Sequence, residues 1–178
     1  IRRESERSLV TEVLADYAAD KPEVLAELVK DADETQFAVV FARLQEHGTA
    51  AIPLLESEFQ RTLDWQDALQ SLDISNDSRL SLAKRQAGSA IALLRQGERE
   101  KIFSALRVTD DPESLTQFVH RCRARGVTTA ELWECAQIVG RTRTALRGDS
   151  RRIEDRVLFG LLLALGEFSL KDFPEDLR

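Results

Sequence analysis

The amino-acid sequence predicts an all-α fold made of stacked helical hairpins. Glycine and proline are scarce, with 8 and 4 residues among 178, and this favours helices because these two residues are the poorest helix formers. Runs in which apolar and polar residues alternate, the pattern of a strand, are nearly absent. Apolar residues instead recur at the three- and four-residue spacing of amphipathic helices. Short turns separate these helical segments, so consecutive helices are expected to pair as hairpins.

The segment at residues 152–168 is expected to form the most deeply buried helix. Between residues 157 and 165 every position except Gly160 is apolar, so packing against a single neighbour would leave apolar surface in water. We therefore expect this helix to be covered from two sides. The run is shorter than the ~18 apolar residues that a membrane-spanning helix requires. The apolar residues that recur at helical spacing are Ile153, Val157, Leu161, Ala164, Leu165 and Phe168.

The first two hairpins are predicted from residues 4–31 and 33–59. Pro22 divides the first hairpin and suits the first position of its second helix, where a missing N–H group loses no hydrogen bond. Asp33 is the expected N-cap of the next helix, and Gly48 is its expected end. The apolar face of the first helix is predicted to consist of Leu9, Val10, Val13, Leu14 and Tyr17.

The third and fourth hairpins are predicted from residues 79–106 and 112–139. The first helix of each is expected to end at a glycine, Gly97 in the third hairpin and Gly126 in the fourth. Thr128 or Thr129 is the expected cap of the last helix in this pair. The side chains expected to face inward from that helix are Leu132, Trp133, Ala136 and Val139.

Two irregular stretches interrupt this order. Residues 62–78 are expected to be an insertion, with the sequence NDS at 76–78 as a loop or helix cap. Residues 140–150 are basic and flanked by glycine, and this pattern predicts a second loop or insertion. The fifth hairpin then opens with the apolar segment described above, and its second helix is expected to start near Pro174.

When the predicted hairpins are aligned, their turns fall at equivalent places, as in LADYAAD, LQEHGTA, LLRQGER, RCRARGV and LGEFSLK. Units of about 28–50 residues with two helices each are typical of HEAT and armadillo repeats, in which no unit buries its apolar face alone. We therefore predict an α-solenoid of about five HEAT/armadillo-like hairpins, with an irregular helical bundle as the alternative. Residues 1–178 are expected to form one domain. Because the chain starts at Ile1 and contains no methionine, we expect a fragment of a longer protein.

Charge and cysteine content restrict the class of protein. The formal net charge of −6 argues against a surface built as a whole to bind phosphates. Two cysteines are too few for a disulfide framework, and no signal peptide is recognisable at the start of the sequence. We therefore expect a cytoplasmic protein that requires no cofactor and binds no membrane.

A local excess of positive charge stands out in this acidic chain, because residues 120–156 hold nine arginines and five acidic residues. Such an arginine zone could bind phosphate groups, a nucleic acid or an acidic protein. We favour the other interpretation, that some arginines pair with acids of neighbouring hairpins and the rest are solvated, since no aromatic residues alternate with them as single-strand binding requires. The candidate binding residues are Arg121, Arg123, Arg125, Arg141, Arg143, Arg147 and Arg151.

Metal binding and nucleophilic catalysis fit the sequence less well. His120, Cys122, Cys135 and His47 lack the paired local spacing of zinc ligands. His120 and Cys122 are two positions apart, about 200° around a helix, so they cannot act as a nucleophile and its base. Cys122 is more simply explained as a small core residue.

A HEAT-like DNA glycosylase is the enzymatic alternative. That class carries base-excision chemistry on a concave basic surface with tryptophan and aspartate, for which Trp65, Trp133, Asp64 and Asp67 would be the candidates. The net negative charge argues against this interpretation. Trp133 lies at helical spacing with apolar residues, so it is expected to pack in a hairpin or between hairpins.

Several stretches resemble a known family, namely VLADYAADKPEVLAELVKDADETQFAVVFARLQEHG, LAKRQAGSAIALLRQG, FVHRCRARGV and VLFGLLLALGEFSLKDFP. They resemble the HEAT-like region of large planctomycete-type bacterial proteins. Such proteins join a Ser/Thr protein kinase or another effector domain to a formylglycine-generating-enzyme-like (sulfatase-modifying-factor) domain. The resemblance covers most of the chain apart from the irregular stretches, and the sequence departs from the family pattern at residues 141–149. It places the catalytic residues in flanking domains, so none is transferred to this sequence.

The expected function is therefore that of a non-catalytic scaffold, which positions flanking domains and binds a protein partner. A nucleic-acid-binding solenoid that uses the arginine zone is the first alternative, and the glycosylase is the second.

Overall fold

The computed structural model describes residues 10, 11, 13–61 and 76–175. Within these ranges the backbone forms α-helices, short 3₁₀ turns and loops, and it forms no strand. This confirms the predicted all-α class. None of the helices in the described ranges is long and apolar enough to cross a membrane.

The α-helices are, in chain order, α1 (Pro22–Asp31), α2 (Glu34–Glu46), α3 (Ile52–Glu56), α4 (Asn76–Arg95), α5 (Phe103–Leu106), α6 (Glu113–Cys122), α7 (Thr129–Ala145) and α8 (Asp149–Gly166). Residues 13–17 are also helical. Short 3₁₀ turns lie at Gly48–Ala51, Ser57–Gln60, Glu100–Ile102 and Leu170–Asp172.

Local sequence signals place several helix ends where they were predicted. Pro22 lies in the first turn of α1. Asp33 caps α2, because its carboxylate accepts the N–H of Gln36 at 2.9 Å while the Gln36 side chain accepts the N–H of Asp33. Thr128 and Glu131 form the same reciprocal arrangement at the start of α7. Gly48, Gly97 and Gly126 follow helix ends with φ angles of +53°, +87° and +80°, which other residues rarely adopt.

The core is organised by a row of parallel helices, α1, α4, α6 and α8, each packed against the next. Contacts at both ends of α4 fix its direction relative to α6. Arg79 at the start of α4 pairs with Asp111, just before α6, at 2.7 Å. Arg95 at the end of α4 donates to the carbonyl of Gly126, just after α6, at 2.6 Å. The other helices return the chain between the members of this row.

The N-terminal side of this row differs from the predicted repeat order. Glu27 and Lys30 of α1 lie against Arg85 and Gly88 of α4. A side chain at Gly88 would approach the Lys30 carbonyl oxygen to 2.5 Å, so glycine lets the two backbones meet. The repeat pattern would place α2 beside α4, but α2 packs on α1. Of the helices predicted to open hairpins, α4, α6 and α8 therefore lie side by side, and α2 packs on α1 instead.

The predicted loop at residues 140–150 is wrong. Helix α7 continues to Ala145 and α8 begins at Asp149, so only residues 146–148 connect them. Arg143 pairs with Asp155 of α8 and holds the last turn of α7 against its neighbour. The packing of α7 along α8, to which this ion pair adds, offsets the low helix propensity of Gly140.

The remaining irregular segments are described in part. Residues 76–78 are helical, because α4 begins at Asn76, and the rest of the predicted insertion at 62–75 lies outside the described residues. The chain forms the 3₁₀ turn Leu170–Asp172 before Pro174. No α-helix near Pro174 falls within the range that ends at residue 175.

The first helical stretch exposes its larger apolar residues, contrary to the predicted hairpin. Val10, Val13, Leu14 and Tyr17 are exposed, and Leu9 lies outside the described residues. The buried side is formed by Ala15 and Ala18 instead. Because these side chains are small, the helix approaches the core closely without inserting its bulky residues.

Helix α8 is central, but only one of its sides is covered. Leu161 is fully buried, as predicted, and the neighbouring helices α5, α6 and α7 pack on that side. The prediction that α8 is covered from two sides is wrong. Phe159, Leu162 and Leu163 on the opposite side are exposed, with 54%, 54% and 44% of their surface accessible.

Gly160 is where α8 touches the backbone of α5, and we expect Gly160→Ala to lower the free energy of unfolding by about 2 kcal/mol, within the range for overpacking. An added Cβ would overlap the carbonyl oxygen of Leu106 and lie 3.2 Å from Cδ1 of Leu115. Gly140→Ala is the matched control, since nothing lies within 4 Å of a Cβ there. The control should gain stability from the better helix propensity of alanine. Urea denaturation compares the two, and an equal gain from both would contradict the tight contact.

Candidate functional site

The structure divides the arginine zone between opposite ends of α8. Arg123, just beyond α6, donates to the carbonyl of Glu167 at 3.3 Å. Arg143, near the end of α7, pairs with Asp155. Asp155 and Glu167 are separated along α8 by about 18 Å, given the rise of an α-helix. The zone is therefore two separate groups, Arg121, Arg123 and Arg125 at one end, and Arg141, Arg143, Arg147 and Arg151 at the other.

Arg125 is a buried structural residue. It is 3% exposed, and its guanidinium donates to the carbonyl of Ala32, the residue that follows α1. The guanidinium also lies 5.0 Å from the ring centre of Phe37. Burial, followed by repulsion from Arg121, lowers the pKa of Arg125 to about 10, so the group stays charged at neutral pH. A cation at the end of a helix stabilises its free carbonyls, and this contact leaves Arg125 unavailable to a ligand on the surface.

Arg95, which lies outside the arginine zone, has a similar linking role. Its guanidinium donates to the carbonyls of Arg125 and Gly126 at 3.1 and 2.6 Å and lies 5.5 Å from the ring centre of Phe41. The rings of Phe37 and Phe41 stack at 5.2 Å. Two arginines thus join α2 to the ends of α4 and α6 through aromatic faces.

Other zone arginines also contact neighbouring elements. Arg123 pairs with Asp172 at 3.0 Å and lies 5.9 Å from the ring centre of Phe168. Arg143 pairs with Asp155, and Arg121 is half-buried. The exposed candidates that remain together, at the turn between α7 and α8, are Arg141, Arg147 and Arg151.

We expect the chain to bind a short DNA duplex weakly. The three exposed candidates together with the exposed Arg152 beside them give a slope of log K against log salt no steeper than about −4. Replacing both Arg141 and Arg147 with glutamine should make the slope shallower by about 2. The control is Arg107→Gln, because Arg107 is also exposed but lies on another element, and this variant should leave the slope nearly unchanged. Fluorescence polarisation at several salt concentrations measures these slopes. A slope of about −6 that survives the double change would reveal a larger nucleic-acid site.

The cysteine and histidine candidates are far from a reactive arrangement. Cys122 and Cys135 are buried, and burial raises the pKa of each thiol to about 12. His120 is exposed, with Nδ1 at 3.9 Å from Glu167. No group of three or more potential metal ligands occurs within the described ranges. The burial of Cys122 agrees with its predicted role as a core residue.

Trp133 is the one tryptophan candidate of the glycosylase alternative that the described residues include. Trp133 is exposed on α7, so the prediction that it faces inward is wrong. Leu132 and Ala136 of the same helix are buried as predicted. Trp65, Asp64 and Asp67 lie outside the described residues.

The uncovered side of α8 carries a continuous apolar surface, which we name the α8 stripe. It consists of Phe159, Leu162, Leu163 and Gly166, which recur at three- and four-residue spacing and therefore share one face of the helix. Gly166 is exposed, and nothing lies within 4 Å of the place its Cβ would occupy. Leu170, in the 3₁₀ turn that follows α8, is 78% exposed.

Charged residues border the α8 stripe at both ends. Arg156 and Arg152 are exposed about one and two turns before Phe159 on the same face. Glu167 follows the stripe, and its side chain is 42% exposed. The stripe is therefore apolar in the middle, positive towards the start of α8 and negative at its end.

A buried ionic cluster holds the helix row rigid at its other end, and no local sequence pattern indicated it. Glu58 is 1% exposed and accepts from Lys30 of α1 at 3.1 Å and from Arg85 of α4 at 3.1 Å. Burial alone would raise the pKa of Glu58, but hydrogen bonds from Arg85 and Lys30 hold it below the ordinary range. The cluster links the 3₁₀ turn Ser57–Gln60 to two helices of the row.

No protein-family model, curated protein or solved structure matches the chain. The resemblance to HEAT-like regions of planctomycete-type proteins therefore stays a prediction.

Sequence reasoning missed the α8 stripe although its residues were visible. The apolar run at residues 157–165 indicated a helix without a polar face, and we assigned the whole surface to the core. An apolar residue on every face also fits a helix that is half buried and half available to a partner. Deciding between the two requires knowledge of which neighbours cover the helix.

Proposed function

We propose that the chain is a non-catalytic, HEAT-like α-solenoid that holds flanking domains at a fixed distance and binds a protein partner. The observation that carries the proposal is the α8 stripe, with Phe159, Leu162 and Leu163 each about half exposed on one face of a helix. Contiguous apolar patches rimmed by charged residues are typical of protein-interaction sites. Apolar residues between Arg156 and Glu167 fit that description.

The other side of α8 supports binding with little loss of conformational freedom. Val157, Leu161, Ala164 and Leu165 are buried against the neighbouring helices. A helix anchored in this way presents the α8 stripe in one fixed geometry. Binding to a preorganised surface costs less ordering entropy than binding to a mobile segment.

The parallel row supports the scaffold part of the proposal. Helices α4, α6 and α8 lie side by side and run in the same direction, as repeated hairpins of a solenoid do. Residues 96–112, with α5, and residues 123–148, with α7, return the chain between them. Arg85, Arg95 and Arg125 add polar bridges between successive elements. Such a stack holds its two ends at a fixed distance.

A photo-crosslinking amino acid placed at position 162 tests the proposal in cells that express the chain. Position 137 on α7 is the matched control, because Gln137 is also exposed but lies outside the α8 stripe. We expect crosslinked products with one defined protein, whether a second copy of the chain or another protein, from position 162 alone. Excess purified chain, added before irradiation, should reduce the yield of these products. The variant Leu162→Glu with Leu163→Glu should not reduce it. The proposal would be overturned if positions 162 and 137 gave the same products. It would also be overturned if the variant reduced the yield as much as the unchanged chain does.

A further inference from the structure

The charges around the α8 stripe have a self-complementary order. Arg156 and Glu167 lie on the same edge of the exposed face, about 60° and 80° around the helix from Phe159 given 100° per residue. Their midpoint along the helix falls between Leu161 and Leu162, close to the centre of the apolar residues. Two α8 helices that cross antiparallel at this midpoint would bring Arg156 of each helix beside Glu167 of the other.

The apolar residues fit the same arrangement. In that register Phe159 of one helix falls at the level between Leu163 and Gly166 of the other, as the helical rise of about 1.5 Å per residue requires. Gly166 has no side chain and an empty space above it, so it leaves room for the phenyl ring. Leu162 of each copy lies at the two-fold axis.

We infer that the partner of the α8 stripe is a second copy of this chain, packed antiparallel through α8 in a two-fold symmetric dimer. The inference rests on the proposed function, because it names the occupant of the same surface. An isologous contact uses one patch on both subunits and closes after two copies. Charge complementarity selects this occupant, since a foreign helix would need an acidic residue opposite Arg156 and a basic residue opposite Glu167, about 16 Å apart.

A mixing experiment with two charge reversals tests the contact and its register. Arg156→Glu alone places two carboxylates together, the introduced one and that of Glu167 in the other copy, and Glu167→Arg alone places two guanidinium groups together. Each single variant should dissociate with a Kd at least about tenfold higher than that of the wild type. An equimolar mixture of the two variants should regain the wild-type Kd, because both contacts in the heterodimer are again between opposite charges. Sedimentation velocity over a concentration series measures each Kd.

One further variant, a double substitution, completes the test. Leu162→Glu with Leu163→Glu should be monomeric and fully folded, with unchanged far-UV circular dichroism, since both residues are exposed. A monomeric wild type overturns the inference. Single variants that dimerise like the wild type, or a mixture that stays monomeric, overturn it equally. If self-association fails while position 162 still crosslinks to a different protein, the proposed function stands and the second copy is the wrong partner.

Discussion

Replacing Glu58 with glutamine is expected to lower the free energy of unfolding by about 3 kcal/mol, the lower end of the range for breaking a buried ion pair. The variant leaves Lys30 and Arg85 without the carboxylate that both contact at 3.1 Å. The loss is at the lower end because Glu27 and Asp31 still pair with these cations from the exposed side. Urea denaturation followed by far-UV circular dichroism measures the change.

Glu27→Gln is the matched control for this prediction. Glu27 belongs to the same ionic cluster and pairs with Lys30 and Arg85 at 2.7 and 2.6 Å, but 59% of its side chain is exposed. Exposed ion pairs contribute less than about 1 kcal/mol. A loss from Glu27→Gln as large as that from Glu58→Gln would show that burial does not set the strength of this cluster.

Acid sensitivity gives the Glu58 variant a second readout. Burial alone would raise the pKa of Glu58, but hydrogen bonds from Arg85 and Lys30 hold it below its ordinary value of 4.5. A carboxylate with a lower pKa in the folded state contributes stability above its ordinary pKa, and the contribution is lost as the pH falls through the folded value. The wild type should therefore lose stability below about pH 4.5, and Glu58→Gln should lose less over the same range. If the wild type and Glu58→Gln lost stability equally as the pH falls, the lowered pKa of Glu58 would be contradicted.

The helix ends could be predicted because local residues encode them. The capping box of Asp33 and Gln36 and the positive φ of Gly48 depend on a few neighbouring positions. The same reasoning failed at residues 140–150, where Gly140 suggested a break. There the packing of α7 along α8, including the pair of Arg143 and Asp155 twelve positions apart, supports the helix instead.

The roles of the arginines could not be predicted, because their partners are distant in the sequence. Arg125 donates to a carbonyl 93 positions away, at Ala32, and Arg85 pairs with Glu27, 58 positions away. Composition alone grouped Arg125 with the exposed arginines near residue 147. The packing of α1 beside α4, which the repeat pattern did not predict, brings these partners to Arg85 and Arg125.

The candidate site was predictable in part for a similar reason. Periodicity identifies Phe159, Leu162 and Leu163 as one face of a helix, and Leu161 as a residue on the opposite face. It does not say which face the fold covers. In α8 the neighbouring helices cover the face of Leu161, so adjacent leucines have opposite roles: one stabilises the core, and the next is available for binding.

That contrast leads to the second large effect, a loss of about 2–5 kcal/mol in the free energy of unfolding for Leu161→Ala. Leu161 is fully buried in the core that α8 shares with α5, α6 and α7. Removing most of its side chain loses apolar burial and leaves a cavity that the surrounding helices fill only in part. Urea denaturation of the purified chain measures the loss.

Leu162→Ala separates this core contribution from any effect on self-association. The two leucines are adjacent on the same helix, but Leu162 is 54% exposed, so its replacement should change the stability by less than about 0.5 kcal/mol. Both variants should be unfolded at a concentration where sedimentation shows monomers alone, because dimer dissociation would otherwise add to the measured loss. A loss below about 1 kcal/mol for Leu161→Ala would mean that α8 is not a central helix of the fold. A large loss for Leu162→Ala in the monomer would mean that the α8 stripe belongs to the core, and both the proposed binding surface and the antiparallel dimer would then be excluded.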